Sequence, residues 1–321
     1  MSLQPARVFR SSKRTFDCKL AGTDDIVEAT ALAMLLKDDH VVVGDYVQLE
    51  PPQNAAHEWS IHKIEPRTNS IFRNIPREQK KKVIASNVDV IVVVVSAGKP
   101  EYKRGLVDRY LTRSAYWGIP ALVVFNKMDL FTGEFDLNFE SDRLNELEVQ
   151  SFEVSSEDSD YQPRFLTKGL KELEHLIKDK TAIMVGHSGV GKSRLITKLT
   201  HGKVNLLSGE LGKVGKGAHT TTWAELIDAG PFTLIDSPGI RSMSLADMTI
   251  DELKECFPDI EQWGTKCKFS TCQHHQGTKG CFFETLDPNQ REDQLILSRL
   301  ESYHRILSEV STTPDWMKKS T

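Results

Sequence analysis

A glycine-rich segment near the middle of the chain has the residue types and spacing of a phosphate-binding loop. Residues 186–193 read Gly-His-Ser-Gly-Val-Gly-Lys-Ser and match G-x-x-x-x-G-K-[S/T]. In such a loop, backbone N–H groups surround a phosphate chain and the following helix adds partial positive charge. Lys192 would neutralise the terminal phosphates and Ser193 would bind Mg²⁺. The alternative is a glycine-rich turn without a ligand. The predicted nucleotide contacts are Gly186, Ser188, Gly189, Val190, Gly191, Lys192, Ser193 and Arg194.

A second polar motif, Asp-Ser-Pro-Gly at 236–239, follows the apolar run Phe232–Ile235. The pattern D-x-x-G is weak on its own. At a strand end about 40 residues after a phosphate-binding loop, it indicates a carboxylate that holds Mg²⁺ through water. We therefore expect Asp236 in that role, and we expect Gly239 to offer its N–H to the γ-phosphate.

The motif Asn-Lys-Met-Asp at 126–129 indicates recognition of guanine. Asp129 can accept hydrogen bonds from both N1–H and the exocyclic amine of guanine, whereas adenine lacks this donor pair. Asn126 would brace the base and the phosphate-binding loop, and the stem of Lys127 would cover the ring. Ser155 and Ser156 match the loop that offers backbone N–H to guanine O6. The alternative is a polar loop between a strand and a helix.

Three of the five cysteines and two neighbouring histidines lie within residues 267–281. In a reducing compartment this clustering suggests a metal rather than disulfides. Cys267, Cys272, His274 and Cys281 supply three thiolates and one imidazole, the ligand set of a structural Zn²⁺ site with no open position for catalysis. His275 is the alternative fourth ligand.

These motifs require elements that bring them together. From Asn87 onwards, strand-like and helix-like runs alternate, and Val88–Ser96 is apolar along nearly its whole length, as a strand buried on both faces should be. The alternation predicts an α/β fold with a mostly parallel, doubly wound sheet. The predicted strands are Val88–Ser96, Ala121–Phe125, Gln150–Val154, Ala182–Val185, Thr222–Ile227 and Phe232–Ile235, and the predicted helices are Arg104–Trp117, 140–149, Leu166–Ile177 and Lys192–Leu199.

The regions on either side of this sheet differ in pattern. Short β-prone runs in the first 65 residues suggest a small barrel, for which the five-stranded OB type is one candidate. Residues 66–83 are rich in arginine and lysine, and are either a solvated connector or a stretch that contacts phosphate. The predicted strands of the first region are Ala6–Phe9, Thr15–Lys19, Val41–Val43, Tyr46–Leu49 and Trp59–Ile64, and the predicted C-terminal helices are Ile250–Cys256 and Asn289–Val310.

The order of the motifs indicates a circular permutation. In ordinary GTPases the phosphate-binding loop precedes the guanine motif, whereas here residues 126–129 and 155–156 precede residues 186–193 and 236–239. The same sheet can be wound from a different starting strand because the termini of such domains often lie close together. The predicted domains are an OB-like β-barrel at 1–65, a basic linker at 66–83, a circularly permuted P-loop GTPase domain at 84–240 and a helical zinc-knuckle domain at 241–321.

Composition excludes several classes of protein. The 321 residues carry a net charge of −4, with 39% hydrophobic and 27% charged residues, which is typical of a globular chain and unlike a protein that binds nucleic acid by bulk charge. No apolar run approaches the roughly 18 residues of a membrane span, and the first residues lack the apolar core of a signal peptide. We expect a monomer in the cytoplasm that does not bind membranes.

The chain resembles the ribosome small-subunit-dependent GTPase A family (RsgA, also called YjeQ) over nearly its whole length. The resemblance rests on the permuted motifs, the cysteine–histidine cluster and the segments 43–47, 85–89, 107–111 and 217–222. It implies a GTPase that uses GTP, Mg²⁺ and one structural Zn²⁺. It also implies binding to the small ribosomal subunit and its rRNA late in assembly, subunit-stimulated hydrolysis of GTP to GDP, and release.

Three departures from the family pattern are present. Ala218 stands where family members usually have arginine, and the usual Asp-Thr-Pro-Gly-Phe is here Asp-Ser-Pro-Gly-Ile at 236–240. Family members also carry five residues between the metal-binding histidine and the last cysteine. His274 leaves six such residues before Cys281, whereas His275 leaves five. The Cys-x-His spacing after Cys272 nevertheless favours His274.

The hydrolytic water needs an orienting group. Ras-like enzymes use a glutamine just after D-x-x-G, a place held here by Ile240. His219 is the candidate replacement, because a neutral imidazole can accept a hydrogen bond from water and the family resemblance also points to it. The alternative is a loop histidine that contacts a partner or nothing. Thr220, Thr221 or Thr222 should complete the Mg²⁺ shell of the GTP state. The family pattern suggests Thr221 or Thr222, and we take Thr221.

Two other classes of function stay open on the sequence. One is a GTP-regulated binding protein of a different RNA or protein complex, in which hydrolysis acts as a timer. The other is a P-loop kinase that transfers phosphate to a metabolite, against which the guanine motif at 126–129 argues.

Overall fold

The N-terminal region forms a closed five-stranded β-barrel. The computed structural model describes residues 2–12, 14–32, 35, 40–52, 58–75, 80–204, 224–236 and 245–312. The barrel strands hydrogen-bond in the order β1-β2-β3-β5-β4, and β4 pairs back onto β1, so that no strand is left at an edge. This is the barrel that the sequence predicts. Its strands are β1 Gln4–Ser11, β2 Thr15–Leu20, β3 Ile26–Ala31, β4 Tyr46–Glu50 and β5 Trp59–Ile64.

Two details of the barrel differ from the sequence prediction. Strand β3 is not predicted because it fully buries only Ala29, so it shows no alternation of apolar and polar residues. The predicted strand Val41–Val43 is wrong: Val43 makes one isolated bridge to Ala85, and the segment is buried without pairing as a strand. Its apolar residues cover the junction with the next domain.

The central region is a six-stranded, mostly parallel sheet with helices on both faces, as predicted. The strand order is β10-β9-β8-β11-β13-β12, and only β12 runs antiparallel to its neighbour β13. The strands are β8 Val90–Ser96, β9 Ala121–Asn126, β10 Gln150–Glu153, β11 Thr181–Val185, β12 Glu225–Asp228 and β13 Thr233–Asp236, and the helices are α1 Arg104–Trp117, α2 Leu137–Asn145, α3 Leu170–Ile177 and α4 Lys192–Leu199.

Strand β8 lies at the centre of this sheet and is buried on both faces. Ile91, Val93 and Val95 join the core that contains buried residues of α1 and α2, whereas Val92 and Val94 join the core with α3 and α4. Period-2 alternation therefore sends successive apolar residues to opposite cores, which explains the continuous apolar run in the sequence.

The range 66–83 is not a simple connector. It contains strand β6 Ser70–Ile75 and most of β7 Lys80–Ser86, which pair as a two-stranded antiparallel sheet. Ile71 and Phe72 are buried in the core beside α1, and Trp117 Nε1 donates to the Phe72 carbonyl at 3.1 Å. The lysine-rich composition hid this strand pair, because its basic residues are exposed and only a few apolar residues anchor it.

The C-terminal region packs three further helices against the central domain. These are α5 Ile250–Glu255, α6 Pro258–Gly264 and α7 Arg291–Thr312, of which α6 is not predicted from the sequence. Asp108 of α1 accepts hydrogen bonds from Ser302 of α7 and Arg143 of α2, both at 2.6 Å. Among the described residues, no helix is both long enough and apolar enough to cross a membrane.

A buried carboxylate joins the barrel to the central domain. Asp45 has no exposed surface, and Arg67 binds both of its oxygens, Nε to Oδ1 at 2.7 Å and Nη2 to Oδ2 at 2.9 Å. Ser86, at the end of β7, donates to Oδ1 at 2.6 Å. Gly44 approaches Ser86 so closely that an added Cβ would lie 2.1 Å from the Ser86 carbonyl oxygen. Arg67 therefore has a structural role at this junction.

The close approach at this junction predicts different effects of substitution at two glycines with similar φ angles. Gly44 has φ +94° and Gly22 has φ +79°, but a Cβ on Gly22 would meet no atom within 4 Å. Gly22→Ala should cost only the left-handed backbone strain, about 1–2 kcal/mol. Gly44→Ala adds a collision with backbone at the domain junction, so we expect a loss of at least about 3 kcal/mol. Denaturant unfolding of both variants measures the difference, and equal losses would contradict it.

Candidate functional site

The predicted phosphate-binding loop lies between β11 and α4, at the carboxyl end of the central sheet. Gly186, Gly189 and Gly191 have φ values of +146°, +85° and +94°, which L side chains rarely adopt. A Cβ on Gly186 would lie 2.2 Å from the Val94 carbonyl oxygen of β8. These glycines therefore allow the loop to turn tightly against the sheet before α4 begins at Lys192.

Lys192 folds back over the loop that precedes it. Its Nζ donates to the carbonyl oxygens of Gly186 at 2.8 Å and His187 at 2.9 Å. These contacts place the ammonium group across the mouth of the loop, beside the start of α4. A phosphate chain held by the loop would meet this charge together with the helix N-terminus, the combination that favours anions.

Asn126 connects the phosphate-binding loop to the predicted base-binding loops. Its side chain is fully buried, and Nδ2 donates to the Val190 carbonyl at 2.9 Å and to Ser156 Oγ at 3.0 Å. Its Oδ1 accepts from the Ser156 backbone N–H at 3.0 Å. A Cβ on Gly191 would lie 2.4 Å from Asn126 Nδ2, so only glycine fits beside it. These contacts tie Asn126 to the phosphate-binding loop, and its predicted role in bracing the base stays a prediction.

The other two residues of the guanine motif, Lys127 and Asp129, lie close to the same loops. Lys127 adopts φ +63°, and its Nζ donates to the carbonyls of Lys99 and Gly189, both at 2.6 Å. Asp129 is exposed, and its Oδ1 accepts from Ser155 Oγ at 2.6 Å. The structure thus brings together Asn126, Lys127, Asp129, Ser155 and Ser156 with the phosphate-binding loop.

Sequence reasoning missed a second link between these loops. Lys198 of α4 donates from Nζ to the carbonyls of Ser155 at 2.8 Å and Asp158 at 2.6 Å. A further contact on the rim is an ion pair between Arg194 and Glu157, both about half exposed. Helix α4 therefore contacts both loops, with Lys192 at the phosphate-binding loop and Lys198, six residues later, at the predicted base-binding loop. No sequence motif includes this second lysine.

The cysteine–histidine cluster follows α6. The ligand atoms of Cys267, Cys272, His274 and Cys281 all lie within 4.8 Å of one another. Cys267 Sγ is 3.5 Å from His274 Nδ1 and 4.0 Å from Cys281 Sγ. This group contains every predicted ligand.

The alternative ligand His275 points elsewhere. Its Nε2 lies 3.2 Å from Gln273 Oε1, and its ring lies beside that of His304. His274 adopts φ +58°, and its ring nitrogen lies within 4.8 Å of the three sulfur atoms. Burial raises the pKa of Cys281 to about 11 and lowers the pKa of His274. A bound cation would oppose the effect on the thiol, because it stabilises a thiolate.

Residues 64–246 match the family model described as RsgA GTPase. The chain belongs to the RsgA GTPase family. A curated relative from Flavobacterium psychrophilum, named small ribosomal subunit biogenesis GTPase RsgA, is 31% identical over 83% of this chain and 80% of its own length. A relative of the same name from Chlorobaculum parvum is 35% identical over 73% of this chain and 75% of its own length.

Two solved structures share the fold of this RsgA family member. The crystal structure of YjeQ from Thermotoga maritima gives a TM-score of 0.69 at 22% identity, covering 97% of this chain and all of that one. YloQ, described as a circularly permuted GTPase, gives a TM-score of 0.68 at 22% identity, covering 96% of this chain and 95% of that one. The permuted order predicted from the motifs is thus confirmed at the level of the fold.

Several predicted site residues of this RsgA GTPase lie outside the described residues. These are His219 and Thr221, together with Gly239 of the D-x-x-G motif. The backbone of Asp236 ends strand β13 and pairs with Glu225 of β12, which agrees with its predicted place at a strand end. The Ser156 N–H donates to Asn126, so the idea that this loop offers N–H groups to guanine O6 stays a prediction.

The position of Asp129 in this RsgA GTPase allows a test of base recognition. Asp129→Asn replaces one acceptor oxygen with a donor, which opposes the donors of guanine and suits the 2-carbonyl of xanthine. We expect GTP binding to weaken by at least about 100-fold and xanthosine triphosphate binding to improve. Asn145→Asp, an exposed exchange on α2, is the control. Equal loss of both nucleotides in a folded variant would show that Asp129 does not read the base.

Proposed function

We propose that this RsgA-family GTPase binds the small ribosomal subunit late in its assembly, hydrolyses GTP there and is released as the GDP form. The observation that carries the proposal is the Asn126 bridge, which places a guanine motif and a phosphate-binding loop at one opening despite their reversed order in the chain. The choice of partner follows the names of the curated relatives, which are small ribosomal subunit biogenesis GTPases. We also propose that the protein is cytoplasmic and monomeric.

The residues present fit a nucleotide with Mg²⁺. Lys192 would exchange its contacts with the Gly186 and His187 carbonyls for the β- and γ-phosphates. Ser193, in the first turn of α4, would bind Mg²⁺, and Asp236 would hold the ion through water. A divalent ion at this place would neutralise charge that develops on the phosphates during hydrolysis.

We assign the orientation of the hydrolytic water to His219. The support is chemical: the position after D-x-x-G holds Ile240, which has no polar atom, and a neutral imidazole can accept a hydrogen bond from water. Thr221 would complete the Mg²⁺ shell in the GTP state. The isolated protein should turn over GTP slowly, because Ile240 stands where Ras-like enzymes have the glutamine that orients water.

The cysteine–histidine cluster fits a tetrahedral Zn²⁺ ion. Bonds of about 2.3 Å to sulfur and about 2.0–2.1 Å to nitrogen place neighbouring ligand atoms roughly 3.5–3.8 Å apart. The separations of 3.5 Å (Cys267 Sγ to His274 Nδ1), 3.8 Å (Cys281 Sγ to the same nitrogen) and 4.0 Å (Cys267 Sγ to Cys281 Sγ) are close to this geometry. Four protein ligands complete the shell, so the ion would be structural.

Contacts to rRNA would come in part from the β6–β7 strand pair. Lys80, Lys81 and Lys82 are exposed on β7, and Lys81 Nζ lies 4.3 Å from the centre of the Phe72 ring. Lysines on a rigid strand pair suit a phosphate backbone, and binding of this kind weakens steeply with salt. Such a local patch is compatible with the net charge of −4.

The proposed partner predicts a nucleotide-dependent affinity. We expect small subunits to bind the protein about 10-fold more tightly with a non-hydrolysable GTP analogue than with GDP, and to raise GTP turnover, because linkage between the two ligands is reciprocal. Pelleting across a salt series measures the affinity, and purified large subunits are the control. Equal affinity in both nucleotide states would contradict the switch. Absent or salt-independent binding would contradict the ribosomal assignment.

The zinc assignment predicts one metal ion per chain. Cys272→Ser should abolish zinc binding and increase protease cleavage within residues 265–282, whereas GDP affinity should stay unchanged because the central sheet has its own core. Cys256→Ser is the matched control, since this buried thiol lies outside the cluster and donates to the Glu252 carbonyl. Metal analysis after purification without chelators checks the result, and protein free of zinc would overturn it.

A further inference from the structure

The chain between β10 and α3 folds around one buried carboxylate. Glu153, the last residue of β10, has no exposed surface. Its Oε2 accepts from the backbone N–H groups of Phe165 at 2.8 Å and Leu166 at 2.7 Å. Its Oε1 accepts from the N–H of Arg164 at 2.9 Å and from the hydroxyl of Tyr161. These four hydrogen bonds fix the path of the loop, because a buried carboxylate or N–H group without a partner raises the free energy of the folded state.

This loop places the exposed side chain of Arg164 against the backbone of the guanine motif. Arg164 donates from Nη2 to the Met128 carbonyl oxygen at 2.6 Å and from Nε to the Tyr161 hydroxyl at 3.3 Å. Its guanidinium also lies over the Tyr161 ring, 5.3 Å from the centre. The hydrogen bond to Tyr161 raises the pKa of Arg164, and the charge of Asp129 acts in the same direction. Glu153, Tyr161 and Arg164 form one chain of contacts that ends at Met128.

The Met128 carbonyl belongs to the peptide unit that leads into Asp129. The Met128 side chain is fully buried, and its backbone N–H donates to the Val154 carbonyl at 3.2 Å. Because a peptide unit is planar, holding its carbonyl oxygen fixes the direction in which the next Cα leaves. Arg164 therefore restrains the backbone of Asp129 together with the Phe131 N–H, which donates to the same Met128 carbonyl at 3.3 Å, while Ser155 Oγ restrains the Asp129 carboxylate at 2.6 Å.

We propose that Arg164, held by Tyr161 and Glu153, is a positioning residue for guanine recognition that sets the Asp129 carboxylate to meet both donors of the base. This inference rests on the proposed role of Asp129. Guanine offers N1–H and the exocyclic amine side by side, so both hydrogen bonds require one orientation of the carboxylate. If the backbone of Asp129 is less restrained, its carboxylate would keep the hydrogen bond from N1–H and lose the one from the exocyclic amine.

Comparison of guanosine and inosine diphosphates isolates the second hydrogen bond, because hypoxanthine has N1–H but lacks the exocyclic amine. In Arg164→Ala we expect GDP to bind about 10-fold more weakly and IDP to bind almost as before, so that the preference for GDP falls about 10-fold. The kcat at saturating GTP should change little, since the phosphate-binding loop keeps its Asn126 contacts. Binding titrations with both diphosphates and steady-state turnover give these values.

Two further proteins sharpen the test. Tyr161→Phe removes the hydroxyl between Glu153 and Arg164 and should shift the GDP preference in the same direction by a smaller factor. Arg291 is an exposed arginine that pairs with Asp136, next to α2, and with Asp142, within α2. Arg291→Ala should leave the GDP preference unchanged. Melting temperatures show that each variant is folded.

The outcomes separate this inference from the role of Asp129 itself. A folded Arg164→Ala protein with the wild-type ratio of GDP to IDP affinity would overturn the positioning role, even if both affinities fall. A wild-type protein that binds GDP and IDP equally would instead contradict base recognition by Asp129. No ribosomal subunit enters the experiment, so its result does not depend on the proposed partner.

Discussion

The nucleotide site depends on the buried amide of Asn126. Its two donors and one acceptor tie the carbonyl of Val190 in the phosphate-binding loop to the side chain and backbone of Ser156 in the base loop. A buried amide that loses such partners costs about 1–3 kcal/mol per unpaired group, so the two loops keep one relative arrangement. The predicted phosphate and base subsites are thereby held at one separation, which a nucleotide of one length would span.

The circular permutation changes the order of these loops in the chain but not their places on the sheet. Strand β8 lies between β9, which carries the guanine motif, and β11, which leads into the phosphate-binding loop. All three strands are parallel, so their carboxyl ends meet at one edge. The loop after β8 fills the space between them, where Lys127 reaches across it to the carbonyls of Lys99 and Gly189. Sheet neighbours, not sequence neighbours, define the site.

Sequence alone predicted the motifs, the alternation of elements and the four metal ligands, because each depends on local residue types or on a period of apolar residues. Helix α1 was predicted at its observed bounds from the spacing of Leu106, Val107, Tyr110 and Leu111. The β6–β7 strand pair, strand β3 and the supports Lys198, Arg164 and Glu153 were missed. They act through single long-range contacts with backbone carbonyls or amides, and such partners carry no side-chain signature in the sequence.

Chain order alone predicts a response of the C-terminal domain to nucleotide. The polypeptide runs from Asp236 into this domain, which by itself favours a tilt of the domain as GTP is hydrolysed. The structure opposes a large tilt, because Asp108 is buried and binds Arg143 and Ser302, so separating α7 from α1 would leave a buried charge with fewer partners. Loss of the Ser302 hydrogen bond alone would cost about 1–3 kcal/mol or more, because the Asp108 carboxylate that accepts it is charged and buried.

A second connection, next to Leu245, reaches the basic strand pair directly. Asp247 lies two residues further along the chain, where its carboxylate binds Arg113 of α1 and accepts from the Asn74 N–H of β6 at 3.0 Å. The Asp247 carbonyl also accepts from Asn74 Nδ2 at 2.8 Å. A displacement of Asp247 would therefore pull on β6, whose partner β7 carries Lys80 to Lys82. Two hydrogen bonds thus connect Asp247 to the strand pair that carries the exposed lysines.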